Sequence, residues 1–191
     1  MKFLKENSYN IIRLYINQIG ITIFSLVLYF SVLMLEDKDL SLKLQVAISI
    51  FAMLFFFSLL YTAAWDWGAN DKIRIDGGRM KKMVGKGALL SVMANLINFL
   101  LAGGCVISEL IIKDGNGFIS QLFRPILLLT NAIYIGVIKT ACASSSSVIL
   151  FESLGYLIAP LLSILATHIG YVFGLKNKKI FPTAKKPANK N

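Results

Sequence analysis

The chain has 191 residues, 56% of them apolar and 16% charged, with 20 lysines and arginines against 10 aspartates and glutamates for a formal charge of +10. So few charges exclude an ordinary soluble domain of this length. The positive excess lies beside apolar runs and no nucleic-acid-binding module accompanies it, so it points to a membrane surface with anionic lipid headgroups, not to nucleic acid.

Lys2 and Lys5 precede the first long uncharged run, residues 14–35. That run is longer than a signal-peptide core and no small-residue cleavage site follows it, so it is expected to stay as an uncleaved first span. Tyr15, Gln18, Thr22, Ser25 and Tyr29 recur along it at steps of three and four, which places them on one polar stripe of a helix. A short acidic loop with Glu36, Asp37 and Asp39 leads to the second run, residues 44–65, which holds a block of phenylalanines and a weaker stripe. The simplest packing therefore sets spans one, three and four together and leaves much of span two facing lipid.

Between the second and third runs lies AWDWGANDKIRIDGGRMKKMVGKG, residues 64–87. Trp65 and Trp67 fall where a span leaves lipid, a depth that amphipathic rings favour. Asp71 and Asp76 bracket Lys72 and Arg74, so local charge pairing is expected, and Gly77-Gly78 permits a turn. Arg74, Arg79, Lys81 and Lys82 around that turn are candidate contacts for a headgroup or phosphate. The glycine spacing is not that of a P-loop.

The third run, residues 87–108, carries Gly87, Ser91, Asn95, Asn98 and Ala102 on one stripe. A further apolar stretch, residues 118–139, contains Arg124 and Pro125, and its uncharged part is too short to cross readily. With Gln121, Arg124, Asn131 and Lys139 near helical spacing, it is expected to be amphipathic or re-entrant, continuing into the small-residue stretch 140–147. A five-span arrangement is the competing reading. The fourth run, residues 153–175, presents Pro160, Ser163, Thr167, Gly170 and Gly174 at the same spacing, with His168 expected to be a hydrogen-bonded structural residue.

Positive side chains resist translocation. They cluster in the N-terminal segment (Lys2, Lys5, Arg13), in residues 72–86, and in a basic tail, residues 176–191, that carries Lys176, Lys178, Lys179, Lys185, Lys186 and Lys190. Both termini are therefore expected to be cytoplasmic. The expected fold is a single all-α polytopic membrane bundle over residues 1–175, with four transmembrane helices plus one amphipathic or re-entrant segment. The tail is expected to lie against anionic lipid.

Trp65, Asp66, Gly68 and Asp71, followed by the Gly78-Arg79 pair and Lys86-Gly87, make one recurring pattern, and GYVFGLK, residues 170–176, after Pro160 makes a second. On these motifs, covering about a third of the chain, the sequence resembles a group of small uncharacterised four-span integral membrane proteins of Gram-positive bacteria. The resemblance implies a four-span protein of the cell membrane and carries no established activity, so it transfers no catalytic residue.

Cys105 and Cys142 have no metal spacing and are expected to be free thiols. The chain has no zinc-protease helix motif, no serine elbow and no paired carboxylates, so neither a cofactor nor a metal nor a catalytic set is expected. The function expected is that of a non-enzymatic accessory or scaffold subunit of a membrane transport or envelope assembly, with a membrane protein partner or a second copy of the chain. The alternative is a small oligomeric transporter or channel, using Gln18, Thr22, Asn95, Asn98, Ser163 and Thr167 as a polar path instead of a helix interface.

Overall fold

The computed structural model of the chain describes residues 2–112, 118–142 and 148–178, and every regular element among them is helical. The helices are α1 (Lys2–Leu33), α2 (Lys38–Asp76), α3 (Lys86–Ala94), α4 (Leu96–Ile112), α5 (Phe118–Thr130), α6 (Ile135–Cys142) and α7 (Val148–Leu175), with a 3-10 turn, Ala132–Tyr134, before α6. Three of them, α1, α2 and α7, are long and apolar enough to cross a membrane, or up to five spans exist if each bent pair, α3 with α4 and α5 with α6, is one. The expected stretch 140–147 is described only to residue 142, and the expected tail only to residue 178.

The bundle is inside out relative to a soluble protein. Along α1, Gln18, Thr22 and Ser25 are buried while Ile12, Ile16, Ile23 and Val27 are exposed. The third and fourth stripes behave likewise, with Ser91, Asn95, Asn98, Ser163 and Thr167 all buried. An apolar exterior over a partly polar interior is the arrangement lipid selects, because hydrocarbon gives apolar side chains no reason to turn inward.

Helix α2 departs from the sequence expectation twice. It continues past Trp65 to Asp76, and its 39 residues make a rod of about 58 Å. Its length follows from a side-chain cap at the start, where Asp37 accepts from the Asp39 and Leu40 N–H groups at 3.0 and 3.1 Å, and from the absence of proline before Gly77. Much of its apolar surface, with Ile50, Phe51, Leu54 and Phe55, does face outward as expected, but another face packs against α7 more extensively than any other pair of helices packs together. The cause is close backbone approach. A Cβ on Gly68 would collide with the Tyr171 carbonyl, and one on Gly174 with the Trp65 carbonyl, so only glycine lets the two helices meet there.

Those contacts also fix direction. Gly170 meets Tyr61 and Gly174 meets Trp65, so α2 and α7 run parallel. Gly87 of α3 meets Tyr171, and Asn95 bonds Ser163, so α3 runs opposite to α7. The start of α1, the ends of α2 and α7 and the start of α3 therefore share one end of the bundle. Lys5, Arg13, Lys72, Arg74, Arg79, Lys81, Lys82, Lys176 and Lys178 gather there, and it is termed the basic end.

Two breaks interrupt the shorter helices. Asn95 separates α3 from α4 at a bend of 58°. Its side-chain amide donates to the Ser91 carbonyl at 2.9 Å and to Ser163 Oγ at 3.1 Å, competing with the helical ladder from within. Asn131 sits at the second break, a bend of 75°, and donates to the Leu127 carbonyl at 3.2 Å. Backbone exposed by such a break must be satisfied by neighbours in a lipid environment. Here Thr22 Oγ1 donates to the Thr130 carbonyl at 3.2 Å, Ser25 Oγ donates to the Ala132 carbonyl at 3.1 Å, and the Gly136 N–H donates to Ser49 Oγ at 2.9 Å.

Candidate functional site

The basic end holds a polar cleft of about 770 Å³ between the first turns of α1 and the last turns of α2. From α1 it is lined by Glu6, Asn7, Tyr9, Asn10 and Arg13. From α2 come Trp65, Asp66, Trp67, Ala69, Asn70, Asp71 and Arg74, and Met80 and Lys86 complete it. The extension of α2 beyond Trp65 builds this wall. Successive turns of one helix place Trp65, Asp66, Ala69, Asn70 and Arg74 along adjacent faces.

One buried ion pair braces the wall. Lys86 Nζ lies 2.7 Å from Asp71 Oδ2, and the two side chains are only 10% and 6% exposed. The Tyr171 hydroxyl donates to the same carboxylate oxygen at 2.9 Å. Three helices, α2, α3 and α7, thus converge on one carboxylate. Gly87 makes the convergence possible, since a Cβ there would press on Tyr171 at 2.6 Å. Asp71 was expected to pair with Lys72 or Arg74; it faces inward on α2, and its partner is fifteen residues on.

Both sequence patterns noted above meet at this point. Gly68, Asp71 and Gly87 from the first contact Tyr171 or Gly174 from the second, and Lys86 joins them through Asp71. Trp65 adds a further tie, its indole N–H donating to the Lys178 carbonyl at 2.7 Å. The motif residues form a packing and charge knot next to the cleft.

Of the candidate headgroup contacts, Arg74 lines the cleft, while Arg79, Lys81 and Lys82 are exposed on the connection between α2 and α3. The candidate polar path is distributed differently. Asn95, Asn98, Ser163 and Thr167 form one buried chain, in which Asn98 donates to Asn95 Oδ1 at 3.3 Å, Ser163 to the Pro160 carbonyl at 2.7 Å and Thr167 to the Ser163 carbonyl at 2.8 Å. Gln18 and Thr22 stand apart from it and line a small, mostly apolar groove of about 220 Å³ between α1 and α5.

A second ion pair lies at the opposite end. Arg124 of α5 meets Glu152 in the first turns of α7, Nη2 to Oε2 at 2.8 Å, with 33% and 8% of the side chains exposed. Sequence reasoning missed it because Arg124 and Glu152 lie on different elements. Cys105 and Cys142 are free. The expected hydrogen bond of His168 is absent at Nδ1, which is buried without a partner. Among the described residues no three His, Cys, Asp or Glu side chains gather as a metal-binding group.

Comparison of the chain with protein-family models, with curated proteins and with solved structures found no match.

Proposed function

We propose that the chain is a non-enzymatic integral membrane protein with four crossings and cytoplasmic termini, an accessory or scaffold subunit of a membrane transport or envelope assembly. Crossing α1, α2, bent α3–α4 and α7 in alternation agrees with the helix directions. Arg124 meets Glu152 and Gly155 meets Ile138, so α5, the end of α6 and the start of α7 are neighbours at the non-basic end. That proximity favours a re-entrant α5–α6 hairpin over a fifth crossing. The basic end then faces the cytoplasm by the positive-inside rule. The opposite end carries Glu36, Asp37, Asp39, Glu109 and Glu152 against Lys38, Lys43, Arg124 and Lys139.

The observation that carries the subunit reading is the use made of the buried polar side chains. Thr22, Ser25, Ser49, Asn95, Ser163 and Thr167 all engage in hydrogen bonds within the protein. The bonds of Thr22, Ser25, Ser49 and Asn95 cross between elements, while those donated by Ser163 and Thr167 stay within α7. Interhelical bonds average about 0.6 kcal/mol, enough to fix broken helices in register. Purification from mild detergent tests the reading: a subunit brings larger membrane partners with it. A closed homo-oligomer that passes solute on reconstitution would favour the transporter instead. That second reading draws on the two discontinuous helices, since transporters place binding sites at such breaks, and on the Asn131 Oδ1 buried there without a partner.

A further inference from the structure

The cleft differs from the surface around it in charge balance. The bundle end is strongly cationic, yet the cleft wall is not. Asp71 and Lys86 neutralise each other within it. The remaining charged residues are two bases, Arg13 and Arg74, and two acids, Glu6 and Asp66, all exposed and all lining the same cavity. A site for a simple anion gains from positive charge and loses to each carboxylate nearby. A ligand bearing both signs uses both kinds of group.

The surroundings indicate what is attached to such a ligand. Trp65 and Trp67 sit in the same wall, as rings at a membrane interface do. Ile12 and Ile16 of α1, beside Arg13 and one turn on, are exposed apolar side chains leading away from the cleft. A polar head in the cleft can therefore continue as a hydrocarbon chain along α1. We propose that the cleft binds the headgroup of a zwitterionic aminophospholipid, with the phosphate on Arg13, nearest the exposed Ile12 and Ile16, and the ammonium farther out between Glu6 and Asp66, next to the Trp65 indole. The proposal rests on the membrane orientation argued above, in which this end lies at the headgroup level.

Trp65 and Trp67 are the two tryptophans of the chain, so intrinsic fluorescence of the purified full-length protein in mild detergent reads the cleft directly. Short-chain phosphatidylethanolamine should give a saturable change, and short-chain phosphatidylglycerol a weaker one. Arg13→Gln should weaken both lipids about tenfold or more, whereas Glu6→Gln with Asp66→Asn should weaken the zwitterion and tighten the anion. All three positions are exposed, and an unchanged helical circular dichroism spectrum establishes folding. Equal or tighter binding of phosphatidylglycerol by the native chain, or charge variants that leave phosphatidylethanolamine affinity unchanged, would overturn the proposal. Glycerophosphoethanolamine binding as tightly as the lipid would overturn the lipid source in favour of a soluble zwitterion. A wrong orientation shows in cysteine accessibility in cells and leaves this titration intact, so the two failures are distinguishable.

Discussion

Among the described residues an ion pair joins helices at each end of the bundle, and the two bonds are nearly equal in length, 2.7 Å for Lys86 with Asp71 and 2.8 Å for Arg124 with Glu152. Their settings differ. Lys86 and Asp71 are both about a tenth exposed or less and share a third partner in Tyr171, whereas Arg124 leaves a third of its side chain uncovered. An uncovered guanidinium can reach the membrane interface along its own stem if its partner is lost, and a lysine walled in by α2 and α7 has no such exit. Burial, and not distance, should therefore rank the two pairs.

The largest effect expected is at the basic end. Lys86→Met leaves the Asp71 carboxylate buried with only a tyrosine hydroxyl, at a cost of about 3–5 kcal/mol, read as loss of folded protein after detergent extraction. Adding Asp71→Leu removes the stranded charge and should restore most of the yield. Failure of that rescue would show that the pair does more than neutralise itself.

Asp71→Leu alone strands the walled-in Lys86, and Glu152→Leu strands Arg124, whose guanidinium keeps its exit, so the second should cost less, about 1–3 kcal/mol against about 3–5. A thermal melt in detergent compares the two variants on one scale. If Glu152→Leu is the more damaging, the ranking by burial is wrong.

Tyr171→Phe sharpens the comparison, because it removes the third partner and leaves the ion pair. One hydrogen bond to a charged group corresponds to about 1.5 kcal/mol, and the same melt should show that smaller shift. Smallest of all, Asn95→Leu with Asn98→Leu should lower stability by about 1 kcal/mol, with any cellular phenotype falling only in proportion to protein level. Normal folded yield with complete loss of phenotype would move the transporter reading to first place.

The polar stripes were legible in the sequence because a step of three or four is a local property of one helix. Thr22, Ser25, Ser163 and Thr167 all turned out to be buried. What stripes do not reveal is what they serve, and Thr22 and Ser25 serve carbonyls more than a hundred residues away. Much of span two does face outward, but its packing against α7 was not legible, for a related reason. Close helix approach depends on glycines on both partners, and Gly68 lies beyond the apolar run that defined the span. Its continuation to Asp76 was hidden by charged residues that suit a helix leaving the membrane as well as they suit a loop. Asp71 and Lys86 were both visible as charges, but their pairing depends on α7, which packs against both α2 and α3 and adds Tyr171 to the same carboxylate oxygen.

The central claim is that α2 and α7 cross in the same direction and end on the cytoplasmic side, with residues 118–142 entering and leaving from the other face. Single cysteines at Asp39, Lys82 and Lys178, in a background with Cys105 and Cys142 replaced by serine, test it in intact cells with an impermeant thiol reagent. The account predicts labelling at position 39, and labelling at 82 and 178 only after the cells are opened. Labelling at 178 but not at 82 in intact cells would contradict it and establish five crossings, and labelling at both would contradict it by inverting the four-crossing protein.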